Sequence, residues 1–137
     1  MFINKTIKDI TGFEFRYSYG NGKDSYVQYE VLEKADVYFV SIKARGEREE
    51  DRAEFEISPD VVVKLEECLN RYKVGKWDGF HKSNKYVLDG NSFSMFVKTK
   101  DGTHIEANGY MRYPAKYKEV RRELDGLFED LYRGFKA

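Results

Sequence analysis

The sequence predicts an α+β fold in which one antiparallel sheet carries two helices on one of its faces. Three observations lead there. Eleven Tyr and ten Phe occur in 137 residues, and aromatic residues favour pleated, half-buried surfaces. Several short runs alternate apolar with polar residues, the period of a strand that has one wet face. Two longer stretches repeat their apolar residues every three or four positions, the period of an amphipathic helix. The predicted order is β-β-β-β-α-β-β-α. With no repeat, low-complexity tract or linker, residues 1–137 read as a single domain.

The elements follow in order. Phe13, Phe15, Tyr17 and Tyr19 alternate with Glu14, Arg16 and Ser18, which is a strand. Gly20-Asn21-Gly22-Lys23-Asp24 then turns the chain, because these residues tolerate positive φ. Val27, Tyr29 and Val31 share one side of a second strand, and Glu33-Lys34-Ala35-Asp36 reverses again. A third strand follows from Val37 to Ala44, with Val40 and Ile42 facing inward. Arg45 to Arg52 reads as a solvated tip of mixed charge. Ala53, Phe55 and Ile57 mark a fourth strand. Loops this short require antiparallel neighbours.

Ser58-Pro59-Asp60 begins a helix: serine to cap, proline for the first position, an acid for the positive end. Val61, Leu65, Cys68, Leu69 and Tyr72 form its stripe, and Gly75 reads as its stop. A second helix opens at Pro114 with Tyr117, Val120, Leu124, Leu127, Phe128, Leu131 and Phe135 on its apolar side. Gly126 within it suggests a close approach to the sheet. Between the helices, Phe93, Met95 and Val97 face one way, as do Ile105 and Ala107. A three-residue loop, Lys100-Asp101-Gly102, pairs Val97 with Ile105 and keeps one apolar face, whereas a two-residue turn would mix the faces. That register requires Gly102 in the left-handed region.

Charge narrows the partners. Lys+Arg and Asp+Glu both number 24, so the formal net charge is zero. Nucleic-acid binders carry a basic excess, and membrane-surface proteins carry a basic amphipathic segment; neither is present. No apolar run is long enough to span a membrane. The first residues, Met1-Phe2-Ile3-Asn4, lack the apolar core of a secretory leader, although a chain whose leader had been removed would read the same. Cys68 is the sole cysteine, which points to a reducing, cytoplasmic compartment.

No catalytic constellation stands out, and no cofactor is implied. His104 and Glu106 share a strand face, and with His81 could make a two-histidine, one-carboxylate metal site; the plainer reading is a solvated sheet face. Cys68 falls on a helical apolar stripe, where a free thiol is buried and inert. Gly20-Asn21-Gly22 resembles a phosphate loop but lacks the third glycine and leads into a strand, so it reads as a hairpin turn. Asp78 and Asp89 each precede glycine, as turn residues do, and would otherwise be an acid/base pair. Trp77 and Phe80 flank a turn and either cradle a ligand or plug the end of the core. Phe96 points away from Met95 and Val97, and Phe39 away from Val40. Joined by Tyr110, they would form an aromatic patch, a surface for another protein or for self-association, unless a loop or the N-terminal segment covers it.

Trp77-Asp78-Gly79-Phe80, then Asp89-Gly90-Asn91-Ser92-Phe93, Asp101-Gly102 and Gly109 through Tyr113-Pro114 together resemble a family of uncharacterised bacterial domains. That family has a Trp-x-Gly-Phe turn, a following hairpin and a Tyr-Pro lead into the C-terminal helix. The resemblance covers about residues 58–135 and implies a shared fold, with no activity attached. Met111 stands where the family pattern has asparagine, so nothing that asparagine does carries over. The functional expectation is a non-catalytic binding or protein-interaction domain, with candidate residues Trp77, Phe80, Phe96 and Tyr110. The alternatives are a metal-dependent protein using His81, His104 and Glu106, and single-stranded nucleic-acid binding through sheet aromatics beside Lys98 and Lys100.

Overall fold

The computed structural model describes residues 3–87 and 90–137. Its centre is a seven-stranded sheet built from β1 (Ile10–Ser18), β2 (Tyr26–Lys34), β3 (Val37–Lys43), β4 (Ala53–Ile57), β5 (His81–Ser83), β6 (Ser92–Thr99) and β7 (His104–Tyr110). Helix α1 (Pro59–Arg71) follows β4, and helix α2 (Tyr117–Lys136) follows β7. The spatial order is β4-β3-β2-β1-β6-β7-β5. The α+β class and the antiparallel meander of β1–β4 match the sequence reading. The element order does not. Strand β5 is an additional three-residue strand, and it pairs parallel to β7, so the sheet is mixed. His81-Lys82-Ser83 is exposed and polar throughout, and so carries no apolar alternation that could announce a strand.

Both helices pack on one side of the sheet. Phe13, Phe15, Tyr17, Tyr29, Val31, Val40, Phe93, Met95, Val97 and Ile105 join Leu65, Leu69, Val120, Leu124 and Phe128 in a single buried cluster. Tyr29 stacks on Phe128 with centroids 4.4 Å apart, which fixes α2 over β1 and β2. The β6–β7 hairpin takes the predicted register, Val97 opposite Ile105 and Met95 opposite Ala107. Gly102 has φ of +91° and its N–H bonds the Thr99 carbonyl, as a loop of this length requires.

Local corrections are physical. Ser58 occupies the N-cap of α1 but its hydroxyl makes no capping bond; the Val61 N–H bonds the Ser58 carbonyl instead. Val62, not Val61, is the fully buried valine of α1. The helix ends at Arg71, and Lys73 takes the left-handed conformation at φ +56°, so Gly75 is not its stop. Gly75 sits against the backbone of Lys5, where a Cβ would lie 1.9 Å from the Lys5 carbonyl oxygen. Helix α2 starts at Tyr117 rather than Pro114, behind a turn closed from the Tyr117 N–H to the Pro114 carbonyl. A Cβ on Gly126 would meet nothing within 4 Å, so no tight helix–sheet approach explains that glycine.

The segment before β1 is strapped to the helix side. Ile7 is buried, its N–H donates to Asn70 Oδ1, and Asn70 Nδ2 donates back to the Ile7 carbonyl. Lys5 Nζ reaches Asp78 Oδ2 at 2.7 Å. Residues 5–7 are therefore anchored away from the opposite sheet face.

Candidate interaction face

Strand alternation sorts side chains onto two faces, and cross-strand pairing arranges the helix-free face in rows. One row reads Glu54, Ser41, Glu30, Glu14, Phe96, Glu106 across six strands. The next reads Glu56, Phe39, Leu32, Gly12, Lys98, His104. A third reads Lys43, Gln28, Arg16, Ser94, Asn108, His81. Leu32, Phe39 and Phe96 are 49%, 40% and 39% exposed, unusual for large apolar groups inside a sheet. Gly12 lies between Leu32 and Lys98 and leaves bare backbone there. An open depression along β2–β4 is lined by Leu32, Phe39, Glu30, Glu54 and Glu56, with Lys34 as its one cation.

One end of this face meets the loop between β3 and β4, which is largely solvated as the sequence suggested, with Arg52 the side chain that folds back onto the sheet. Arg52 is largely buried and donates to Gln28 at 2.5 Å, Ser41 at 3.0 Å and Glu49 at 2.9 Å. Glu49 also accepts from the Tyr26 hydroxyl. The Tyr26 ring carries the Arg16 guanidinium 3.8 Å and the Lys43 ammonium 4.7 Å from its centroid. Lys43 is fully buried and donates to the Asp24 and Tyr26 carbonyls. The sequence hid this cluster because Tyr26, Lys43 and Arg52 meet only once the hairpins are paired.

Electrostatics distinguish the two rows beyond that end. Glu14 and Glu30 stand directly opposite each other, an arrangement that costs stability. Burial raises the Glu30 carboxyl above its ordinary value; Arg52 opposes that rise, and Glu14, Glu49 and Glu54 add to it. Five glutamates, Glu14, Glu30, Glu54, Glu56 and Glu106, thus share this side of the sheet with Lys34 and Lys98, and Glu30 lies 4.0 Å from the Arg52 guanidinium.

The sequence-derived candidates separate. Trp77 is 3% exposed and its Nε1 donates to the Ala115 carbonyl. Phe80 is buried as well, and both rings pack on Phe93, at 6.1 and 6.2 Å. They are a core plug, not a cradle. Their motif is a type II turn: Asp78 has φ −56° and ψ 128°, Gly79 has φ +86°, and the Phe80 N–H bonds the Trp77 carbonyl at 2.9 Å. Asp78 also accepts from the Glu106 N–H. Burial works against its charge, yet Lys5 and that amide hold its carboxyl below the usual carboxylate range. Asp89 lies outside the described residues, so the structure does not speak to an Asp78–Asp89 pair. Tyr110 sits on the helix-free side with its hydroxyl engaged, donating to the Val87 carbonyl and accepting from Gly90 N–H. Phe96 alone of the four is open.

His104 and Glu106 do share that face, but His81 Nδ1 is 2.9 Å from Asn108 Nδ2 beyond them. Among the described residues no group of three His, Cys, Asp or Glu side chains is placed to hold a metal ion. Burial first, and Glu123 second, push the Cys68 thiol up to about 12, so it is not a thiolate near neutrality. On the helix side, Tyr17 and Tyr29 both donate to Asp125 Oδ1, at 2.8 and 2.5 Å. Burial, reinforced by Asp125, pushes the Tyr29 hydroxyl up, which makes it a fixed donor and not a base.

Among the described residues no helix is long and apolar enough to cross a membrane. The sequence matches no model of a known protein family and no curated protein.

Proposed function

We propose that this chain is a non-catalytic binding module, a protein-interaction domain that works through the helix-free face of its sheet. The observation that carries this reading is the exposure of Leu32, Phe39 and Phe96 on a surface where the fold has no need of them. Apolar groups that stay wet on an ordered surface mark contact sites. The engaged state of the titratable groups elsewhere supports a binding role over a catalytic one: Asp78 is tied to Lys5, Asp125 to two tyrosines, and Glu123 to Arg71 and Tyr72. The glutamate rows weigh against a nucleic-acid partner, because they repel phosphates. A lone buried cysteine fits a reducing compartment, the cytoplasm.

The kinship with the uncharacterised bacterial domains is likewise a proposal. It is supported by the type II geometry of Trp77–Phe80 and by Met111, which has φ of +53°. Asparagine adopts that conformation more easily than methionine, which gives a physical reason for asparagine at that position in the family pattern.

Selection of displayed random peptides on the folded chain tests the binding role. The reading expects selected peptides that lose binding to a Phe39→Ser/Phe96→Ser variant whose unfolding temperature is unchanged. Selected peptides that bind the variant equally well would refute it.

A further inference from the structure

We infer that the partner of this face is a polypeptide segment that is both basic and apolar, not a second copy of this chain. The inference rests on the binding role proposed above and names the chemistry of the partner. Two features of the face meet here. The first is the unpartnered apolar set, Leu32 and Phe39 directly opposite each other and Phe96 one row away. The second is the row that runs from Glu54 to Glu106, five strand spacings or about 24 Å.

Folding neutralises that row only in part: Arg52 lies 4.0 Å from Glu30 but sits closer to Glu49, at 2.9 Å. Glu14 and Glu30 are direct cross-strand neighbours, and like charges so placed weaken a sheet. Burial disfavours the charged form of Glu30, and Arg52 offsets this only in part against Glu14, Glu49 and Glu54. A cation laid between Glu14 and Glu30 removes the repulsion, so binding recovers what folding gave up. The apolar side chains supply area, and the glutamates supply sign and register.

Charge also selects among occupants. Self-association through one face of a two-fold dimer sets the same patch against itself, so a depression holding Glu30, Glu54 and Glu56 against the single Lys34 would face another of the same net sign. A segment carrying Lys or Arg in one stripe and Leu, Ile or Val in an adjacent stripe meets both rows at once. Two residues along a strand separate the rows, about 7 Å, within the reach of neighbouring side chains of one segment. Lys98, at the far end of the apolar row, repels the positive groups of that segment toward Glu14 and Glu30.

Fluorescence anisotropy with two labelled sixteen-residue peptides tests this, one with Lys and Leu in adjacent stripes and one with Glu in place of Lys. The Lys/Leu peptide is expected to bind, and binding should weaken as salt rises. Glu14→Gln/Glu30→Gln should weaken it by about two- to thirtyfold, since each exposed ion pair contributes roughly 1.4- to fivefold. The Glu/Leu peptide should not bind, and the chain alone should sediment as a monomer. Equal binding of the two peptides, or no effect of the double glutamine variant, would overturn the basic partner while leaving the open-face role standing. Binding of the Lys/Leu peptide that survives Phe39→Ser/Phe96→Ser would overturn the face itself. A dimer that Phe96→Ser dissociates would replace the partner with a second copy.

Discussion

Two aromatic sets in this molecule have similar composition and opposite surroundings. On the helix side, Phe93 lies among Trp77, Phe80, Tyr113 and Tyr117, with Tyr117 4.8 Å away centre to centre. On the other side, Phe96, three residues along the same strand, has glutamates for cross-strand neighbours and is 39% exposed. One strand thus presents a core residue and a contact residue, separated only by the pleat. The difference teaches that an aromatic surplus in a sheet protein has two meanings. Which one applies depends on which face the helices cover.

The largest effect that would sharpen this contrast comes from the plug. Trp77→Ala should cost about 3–5 kcal/mol, the usual range for emptying an aromatic site in a core, as read from the shift of the urea midpoint. A loss below about 1 kcal/mol would move Trp77 out of the core. Asp78→Ala comes next, at about 0.5–1.5 kcal/mol, because the Glu106 N–H and Lys5 exchange their partner for water. The Asp78 carboxyl is held below its ordinary value, so its contribution is present above that value and is lost as pH falls through the depressed one. The gap between wild type and variant should close over that acid range in pH-dependent melting.

Glu30→Gln should have the opposite sign. Relief of the Glu14–Glu30 repulsion stabilises the variant by about 0.5 kcal/mol at pH 7. The folded-state pKa of Glu30 is raised, so wild type gains on the variant as pH falls and Glu30 takes up its proton. A variant less stable than wild type at pH 7 would show that Arg52 outweighs the glutamates around Glu30. The smallest effect is expected at the open face: Phe96→Ser should change stability by no more than about 0.5 kcal/mol while removing peptide binding. A large loss of stability there would erase the distinction between the two sets.

Much of this fold was legible in the sequence. Alternation placed Phe13, Phe15 and Tyr17 on the buried side, and the Lys100–Gly102 loop length fixed the β6–β7 register. What escaped has physical causes. Strand β5 is held by backbone bonds to β7 and by the Trp77–Phe80 turn, and backbone bonds leave no side-chain pattern. Gly75 looked like a helix stop because a glycine demanded by a neighbouring chain segment reads the same as one demanded by φ. The exposed side of Phe39 and Phe96 could be read from period two. The glutamate row could not, since Glu14, Glu30, Glu54 and Glu106 become neighbours only when the strand order is known. Trp77 and Phe80 were ambiguous because ligand cradles and core plugs use the same residues.

Incorporation of 19F-labelled phenylalanine, followed by titration with the Lys/Leu peptide, tests the open-face role most directly. The account predicts that the resonances of Phe39 and Phe96 shift while those of Phe15, Phe93 and Phe128 stay in place. Movement of the buried set with Phe39 and Phe96 unchanged would contradict it.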